Sequence, residues 1–243
     1  MRNSNDSFSH FPTHKNSSSS LDIKQHLSPR SVPLTMYSDI QCPWCFIAKK
    51  RIEPTLQSSS GAYIKLIWRP LELHPYIPLD GMDSREFFRK YMGPDSIIQE
   101  RQAQVIKIGQ TLGIQIDFKR MKKQPNTRLA HRLIAYSQDH DAAFEVTEAL
   151  FQGFFCEGVD IGHSDEVLDL LKNKSVPLEL ATVRDFLKST EGEARLTNDL
   201  EQARALNIRV APTYMRGDGR CSSSFTSEAE LHAFLKKTGD SID

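Results

Sequence analysis

The sequence predicts an α/β protein in which an all-helical block interrupts a core of strands and helices. Three observations predict it. A strand–helix–strand unit spans Val32 to Arg69, helical periodicity runs almost unbroken from Asp83 to Lys188, and a short extended segment, a turn and a helix follow Asn207. The β-α-β and β-turn-β-α units bracket the helices, so the expected core is 33–80 with 189–243, and the helical insertion is 81–188. No internal repeat of convincing period is present.

The first strand is read over Val32–Ile40, where β-branched and aromatic residues follow an opening proline, Pro33. From Pro43 to Leu56 the apolar residues Phe46, Ile47, Ile52 and Leu56 sit among Lys49, Lys50, Arg51 and Glu53, a helical pattern. Pro54 lies inside it and should kink the helix by removing the bond to Lys50, and Ser58-Ser59-Ser60-Gly61 should end it. Tyr63–Arg69 reads as a second strand between Gly61 and Pro70, which makes the unit a parallel crossover.

Further helices are expected near 84–92, 95–112, 127–138, 142–155, 164–173 and 178–188. Ile114–Phe118 alternates like a strand but has no evident partner, so it is taken as a connector. Val210–Met215 is extended, Gly217-Asp218-Gly219 turns, and Ser227 with Glu230 has capping-box spacing at the start of a last helix.

A chain of 243 residues can bury a substantial core without disulfide staples. Hydrophobic residues at 39% and charged residues at 26% match ordinary globular usage. Basic and acidic residues balance at 31 each, so no overall field draws the chain to nucleic acid or an anionic membrane, and neither is an expected partner. No apolar run approaches the roughly 20 residues that cross a bilayer. Residues 1–31, with the run Ser17–Ser20, read as a disordered Ser-rich tail without a signal peptide's apolar stretch. An organelle transit peptide is the alternative for the tail, and Asp6 and Asp22 count against it. Four cysteines without a secretory signal point to a reducing compartment, by default the cytoplasm.

The chemistry concentrates in Cys42-Pro43-Trp44-Cys45. A cysteine opening a helix lies against unpaired backbone N–H groups and the positive end of the helix dipole, which favours thiolate. Cys42 is therefore the expected nucleophile. Pro43 suits the first turn because its missing N–H had no helical partner. Cys45 falls about one turn further on, within reach for a disulfide, and would resolve the mixed disulfide that Cys42 forms.

This reaction requires neither a metal nor an organic cofactor. A zinc site is the alternative, with Cys156 and Cys221 as the other ligands, but those two are far apart and lack paired spacing. Cys156, in the apolar run Phe151–Phe155, reads as a core thiol, and Cys221 beside the glycine-rich turn as an exposed one with a regulatory role as its alternative.

Four passages carry a resemblance. They are Ser38–Lys50 around the cysteines, Trp68–Pro75, Pro125–Leu133 and Leu150–Ile161, and with Val210-Ala211-Pro212-Thr213 they span nearly everything from residue 33 onward. In them the chain resembles the DsbA-like branch of the thioredoxin superfamily, particularly its FrnE-type members. The resemblance implies a thioredoxin-like fold with a large helical insertion and a thiol–disulfide oxidoreductase or disulfide isomerase acting on protein clients. It also implies a cis Ala211–Pro212 bond facing the cysteines, which leaves the Ala211 backbone free to pair with an extended substrate.

Pro43, Trp44, Ala211 and Pro212 are thus candidate substrate-binding residues. Trp44 reads as an exposed client contact, with packing into the helical block as the alternative. Asn126 or Thr127 reads as a helix cap and His131 as a satisfied helix-face histidine, with substrate-groove roles as their alternatives. The Ala211-Pro212-Thr213 passage also resembles kappa-class glutathione transferases and 2-hydroxychromene-2-carboxylate isomerases, which makes glutathione a candidate partner and a glutathione-dependent small-molecule reaction the second functional expectation. A non-enzymatic redox sensor is the third.

Overall fold

The computed structural model describes residues 32–58 and 64–236. The expected tail at 1–31, the Ser59–Gly61 stop and the start of the second strand at Tyr63 lie outside them. A four-stranded mixed sheet has the order β2-β1-β5-β6, with β1 at Val32–Ser38, β2 at Ile64–Pro70, β5 at Thr213–Arg216 and β6 at Cys221–Ser222. Helix α1, Pro43–Gln57, joins β1 to its parallel neighbour β2, in register from Val32 opposite Ile64 to Ser38 opposite Pro70. Strand β5 runs antiparallel on the other side of β1, with Met36 opposite Tyr214 and Tyr37 opposite Thr213.

Side chains alternate across the sheet, so β1 serves two layers. Leu34 and Met36 pack with Cys45, Phe46, Ile47 and Tyr214 on the face covered by α1. Tyr37 points the other way, into a small cluster with Leu71, Ala203 and Ile208. Ala203 belongs to α8, Glu193–Ala205, which the sequence reading left unassigned. Its buried residues Leu196, Leu200 and Ala203 have helical spacing, but the surrounding polar residues hide that stripe.

Between β2 and β5 the chain is largely helical. It comprises a two-residue strand β3 at Met82–Asp83, α2 at Ser84–Phe87, α3 at Asp95–Thr111, β4 at Lys123–Gln124, α4 at Arg128–Gln138, α5 at Ala143–Gln152, α6 at Ser164–Asn173, α7 at Leu180–Lys188, and α8. Wider π-helical turns continue α2 through Phe88–Met92 and α5 through Gly153–Glu157. The β3–β4 pair was not expected, because two residues a side carry no readable alternation. The connector at 114–118 does lack regular structure. Helix α1 continues through Pro54 to Gln57, its far end anchored by buried Ile52 and Thr55. Ser227 accepts a hydrogen bond from the Glu230 N–H at the start of α9, Glu228–Leu235, as the capping spacing predicts.

The helical block is joined to α1 by aromatic stacking. Phe46 stacks on Phe151 with ring centroids 5.1 Å apart and on Phe155 at 6.3 Å, contacts worth about 0.5–1.5 kcal/mol each beyond their burial. Beside them Lys49, fully buried on α1, meets Glu148 of α5 at 2.6 Å and lies over the Phe144 ring. Burial pulls Lys49 below its ordinary value, an effect Glu148 only partly offsets. Burial would raise Glu148, but Lys49, Lys50 and Gln152 outweigh it and hold the carboxylate ionised.

At the end of the α5 π-turn, Gly158 has φ +79, and a Cβ there would overlap the Arg120 carbonyl. Gly158→Ala is expected to destabilise the protein by about 1–3 kcal/mol, read as a lower urea midpoint. An unchanged midpoint would mean that the Arg120 segment yields freely.

Candidate active site

Strand β1 ends at Ser38, and four residues later Cys42 opens α1 as its N-cap, with φ −92 and ψ 108 and Pro43 following in the first turn. The connecting turn is held by its own backbone, the Cys42 N–H donating to the Asp39 carbonyl at 3.0 Å. Cys42 is 4% exposed and Cys45 is fully buried. Both are free thiols, and hydrogen bonding with Cys42 contributes to the state of Cys45. The Cys42 carbonyl accepts from the Cys45 N–H at 3.0 Å, the first bond of the helix. Cys42 thus stands at the helix entrance, its side chain making no cap bond to the helix.

The Ala211–Pro212 peptide is cis and sits directly before β5. The Cys42 thiol donates to the Ala211 carbonyl at 3.4 Å across the core. The structure thus brings together Cys42, Cys45, Pro43, Ala211 and Pro212, while Trp44 stands at the rim with 37% of its surface exposed.

Burial comes first in pushing the Cys45 thiol far above its ordinary value, followed by hydrogen bonding with and charge repulsion from Cys42. On β5 the Tyr214 hydroxyl is also raised, by burial and then by Cys45. The other two cysteines lie elsewhere. Cys156 is half-buried, and burial pushes its thiol up to about 11. Cys221 is exposed on β6. Among the described residues no three metal-ligating side chains converge.

The sequence reading did not single out Asp39. Its carboxylate is completely buried and accepts from the Leu73 N–H at 2.7 Å and the Gln41 N–H at 3.3 Å, tying the turn before Cys42 to the chain leaving β2. His131 of α4 places Nε2 3.5 Å from Asp39 Oδ1. At that separation the pair does not make a hydrogen bond of normal geometry. Burial alone would raise the Asp39 carboxyl, but His131 and the two N–H groups together hold it below its ordinary value. His131 thus faces a carboxylate, not a substrate groove. Asn126 caps α4, accepting from the Arg128 N–H at 3.0 Å and donating to the Ile77 carbonyl at 2.7 Å, whereas the Thr127 side chain makes no cap bond.

Beside Cys42 a cavity of about 450 Å³ opens between the turn and the helical block. Trp44, Phe87, Met92, Ile98 and Phe155 give it an apolar lining, and Arg101 brings the only fixed charge. Gln41 crosses its edge, donating to the Pro125 carbonyl at 2.7 Å.

The model of the DSBA-like thioredoxin domain matches residues 33–237. The chain belongs to the DSBA-like thioredoxin domain family. A relative, the uncharacterized protein YwbO of Bacillus subtilis (strain 168), is 27% identical over 190 residues, 77% of this chain and 88% of that protein. The crystal structure of the probable DsbA oxidoreductase SCO1869 from Streptomyces coelicolor is 19% identical, with a TM-score of 0.73 over 84% of this chain and 88% of that one. A 2-hydroxychromene-2-carboxylate isomerase is 16% identical, with a TM-score of 0.62 over 84% of this chain and 94% of that one. At these identities the structural likenesses show the shared thioredoxin-like fold with its helical insertion. No helix among the described residues of this DSBA-like chain is long and apolar enough to cross a membrane.

Because Asp39 releases its proton more readily folded than unfolded, its stabilising contribution is complete above its ordinary value of 3.8 and is lost as pH falls through the lower folded value. Asp39→Asn is expected to lose about 1.5–3 kcal/mol at neutral pH and to show a shallower acid-side decline, measured by urea denaturation across pH. Parallel declines in both forms would contradict this role.

Proposed function

We propose that this chain is a thiol–disulfide oxidoreductase acting on protein thiols and disulfides, with Cys42 attacking and Cys45 resolving. One observation carries the reading. Cys42 Sγ stands at the entrance of α1, 3.4 Å from the Ala211 carbonyl, with Cys45 buried one turn behind it.

In the reducing direction the Cys42 thiolate attacks one sulfur of a client disulfide, and the other client sulfur leaves as a thiolate. Cys45 then displaces the attached sulfur. The Cys42–Cys45 bond forms, the mixed disulfide breaks, and two electrons pass to the client. The same steps run backwards oxidise a client dithiol, and rearrangement follows when the released thiol attacks elsewhere. Reduction potential decides the direction, about 30 mV for each factor of ten in the equilibrium.

Ala211, before the cis bond, offers backbone groups to an extended client, and the exposed ring of Trp44 an apolar contact. No metal or organic cofactor enters these steps. The balanced net charge supports protein clients over nucleic acid, and cysteine usage supports a reducing, cytoplasmic setting.

A second reading rests on the cavity beside Cys42, which is apolar, carries Arg101 and has no carboxylate among its lining residues. It would suit a small anionic molecule, and the resemblance of the Ala211-Pro212-Thr213 passage to kappa-class glutathione transferases makes a glutathione-dependent reaction its natural form, on a fold shared with the 2-hydroxychromene-2-carboxylate isomerase. Saturable glutathione binding by calorimetry, without disulfide exchange, would favour that reading.

The deciding experiment is insulin reduction with the wild type, Cys42→Ser and Cys45→Ser. Cys42→Ser is expected to lose activity by at least about 100-fold, the lower end of what a missing catalytic group costs, while Cys45→Ser accumulates client mixed disulfides visible on a non-reducing gel. Full turnover in both variants would overturn the dithiol assignment.

A further inference from the structure

Among the described residues, four side-chain polar atoms are buried without a hydrogen-bond partner: Ser38 Oγ, Glu53 Oε2, His131 Nε2 and Tyr214 Oη. Two of them face an ionic group, Glu53 with Lys50 at 2.5 Å and His131 with Asp39 at 3.5 Å. Ser38 and Tyr214 have neither. Both stand on the face of the sheet that α1 covers, since Tyr214 lies opposite Met36 and Ser38 is two residues beyond Met36. Cys45 packs against that face in the same cluster as Met36 and Tyr214.

Ser38 is near enough to Cys45 for its hydroxyl to favour charge on that sulfur, as does the Asp39 backbone N–H. The titratable groups facing Cys45 are Cys42 from the turn, which opposes charge there, and Tyr214 from β5, whose own hydroxyl is raised by burial and by Cys45. Cys45 shares its core cluster with Phe46 and, from the helical block, with the apolar Phe151 and Phe155 that stack on Phe46. With the Asp39 backbone N–H, the Ser38 hydroxyl is thus set against the burial and the Cys42 sulfur that keep Cys45 neutral.

We propose that Ser38 is the hydrogen-bond donor to the resolving sulfur: its hydroxyl, unpaired while Cys45 is a thiol, closes onto Cys45 Sγ as that sulfur becomes an anion and attacks the mixed disulfide on Cys42. The inference rests on the dithiol reading above. In that step the Cys45–Cys42 sulfur bond forms and the bond from Cys42 to the client sulfur breaks. The client sulfur leaves with the electron pair and takes up the proton that Cys45 released.

A thiol is a weak acceptor and a thiolate a strong one, so the contact strengthens only where charge develops, which is the condition for accelerating a step. An unpaired buried hydroxyl destabilises the fold that contains it. The benefit of Ser38 therefore belongs to a state other than the resting dithiol.

The test uses the full chain carrying Cys156→Ser and Cys221→Ser, mixed with excess 5,5′-dithiobis(2-nitrobenzoate). Attack by Cys42 releases one thionitrobenzoate, and resolution by Cys45 releases a second in a separate phase. Adding Ser38→Ala is expected to slow the second phase about tenfold and to raise its pH midpoint by about one unit, the equivalent of that factor. The first phase should stay within about twofold, the melting temperature should not fall, and Ser38→Thr should restore the second phase.

An unchanged second phase and midpoint in Ser38→Ala would overturn the proposal, as would equal slowing of both phases. Absence of any second phase in the protein with Ser38 intact would instead defeat the dithiol reading, and this inference with it.

Discussion

The contact between Cys42 Sγ and the Ala211 carbonyl joins positions 169 residues apart, and the candidate site exists only while that approach is kept. Neither partner sits in a regular element. Cys42 is fixed by the end of β1 and the start of α1, and Ala211 by the start of β5. The antiparallel pairing of β1 with β5, Tyr37 opposite Thr213, is therefore the constraint that sets the distance. A one-residue slip would exchange the faces of β5, moving Tyr214 out of the core beneath α1.

That register is braced from outside the sheet. Asp39 holds the turn before Cys42 to Leu73, and Gln41 holds it to Pro125 at the entry to α4. The stack of Phe46 on Phe151 and Phe155 fixes α1 against α5, with the Lys49–Glu148 pair alongside. The helical block so positioned supplies most of the wall of the cavity beside Cys42. The block also contributes to the electrostatics, since His131 on α4 helps keep Asp39 ionised in a fully buried position. An acid and a thiol close together in the chain are thereby driven in opposite directions. Asp39 has N–H donors and a histidine, whereas Cys45 has burial and a second sulfur.

Much of this was legible locally. The crossover at β1–α1–β2 followed from strand composition, Pro43 and the spacing of Phe46, Ile47 and Ile52, and helix α6 occupies the expected 164–173. Helix α8 was not legible because its stripe of Leu196, Leu200 and Ala203 is thin and the rest is polar. Strands β3 and β4 were too short to alternate. Asp39 looked like any acid before a turn, and Ser38 like the end of a strand. What distinguishes them is burial, and burial depends on β2, α4 and α1 together.

The sequence by itself determined that a cysteine pair stands at the start of the first helix, where that helix begins and that a helical block lies between two parts of an α/β core. These depend on neighbours within a few turns of chain, where spacing and backbone preference act directly. Only the tertiary structure decided that Ala211 meets Cys42, that Asp39 is paired from α4, that a cavity opens beside Cys42 and that Ser38 lies unpaired by Cys45. Those facts arise from segments brought together by β-pairing and core packing, and their distances are properties of the closed fold rather than of any stretch of residues.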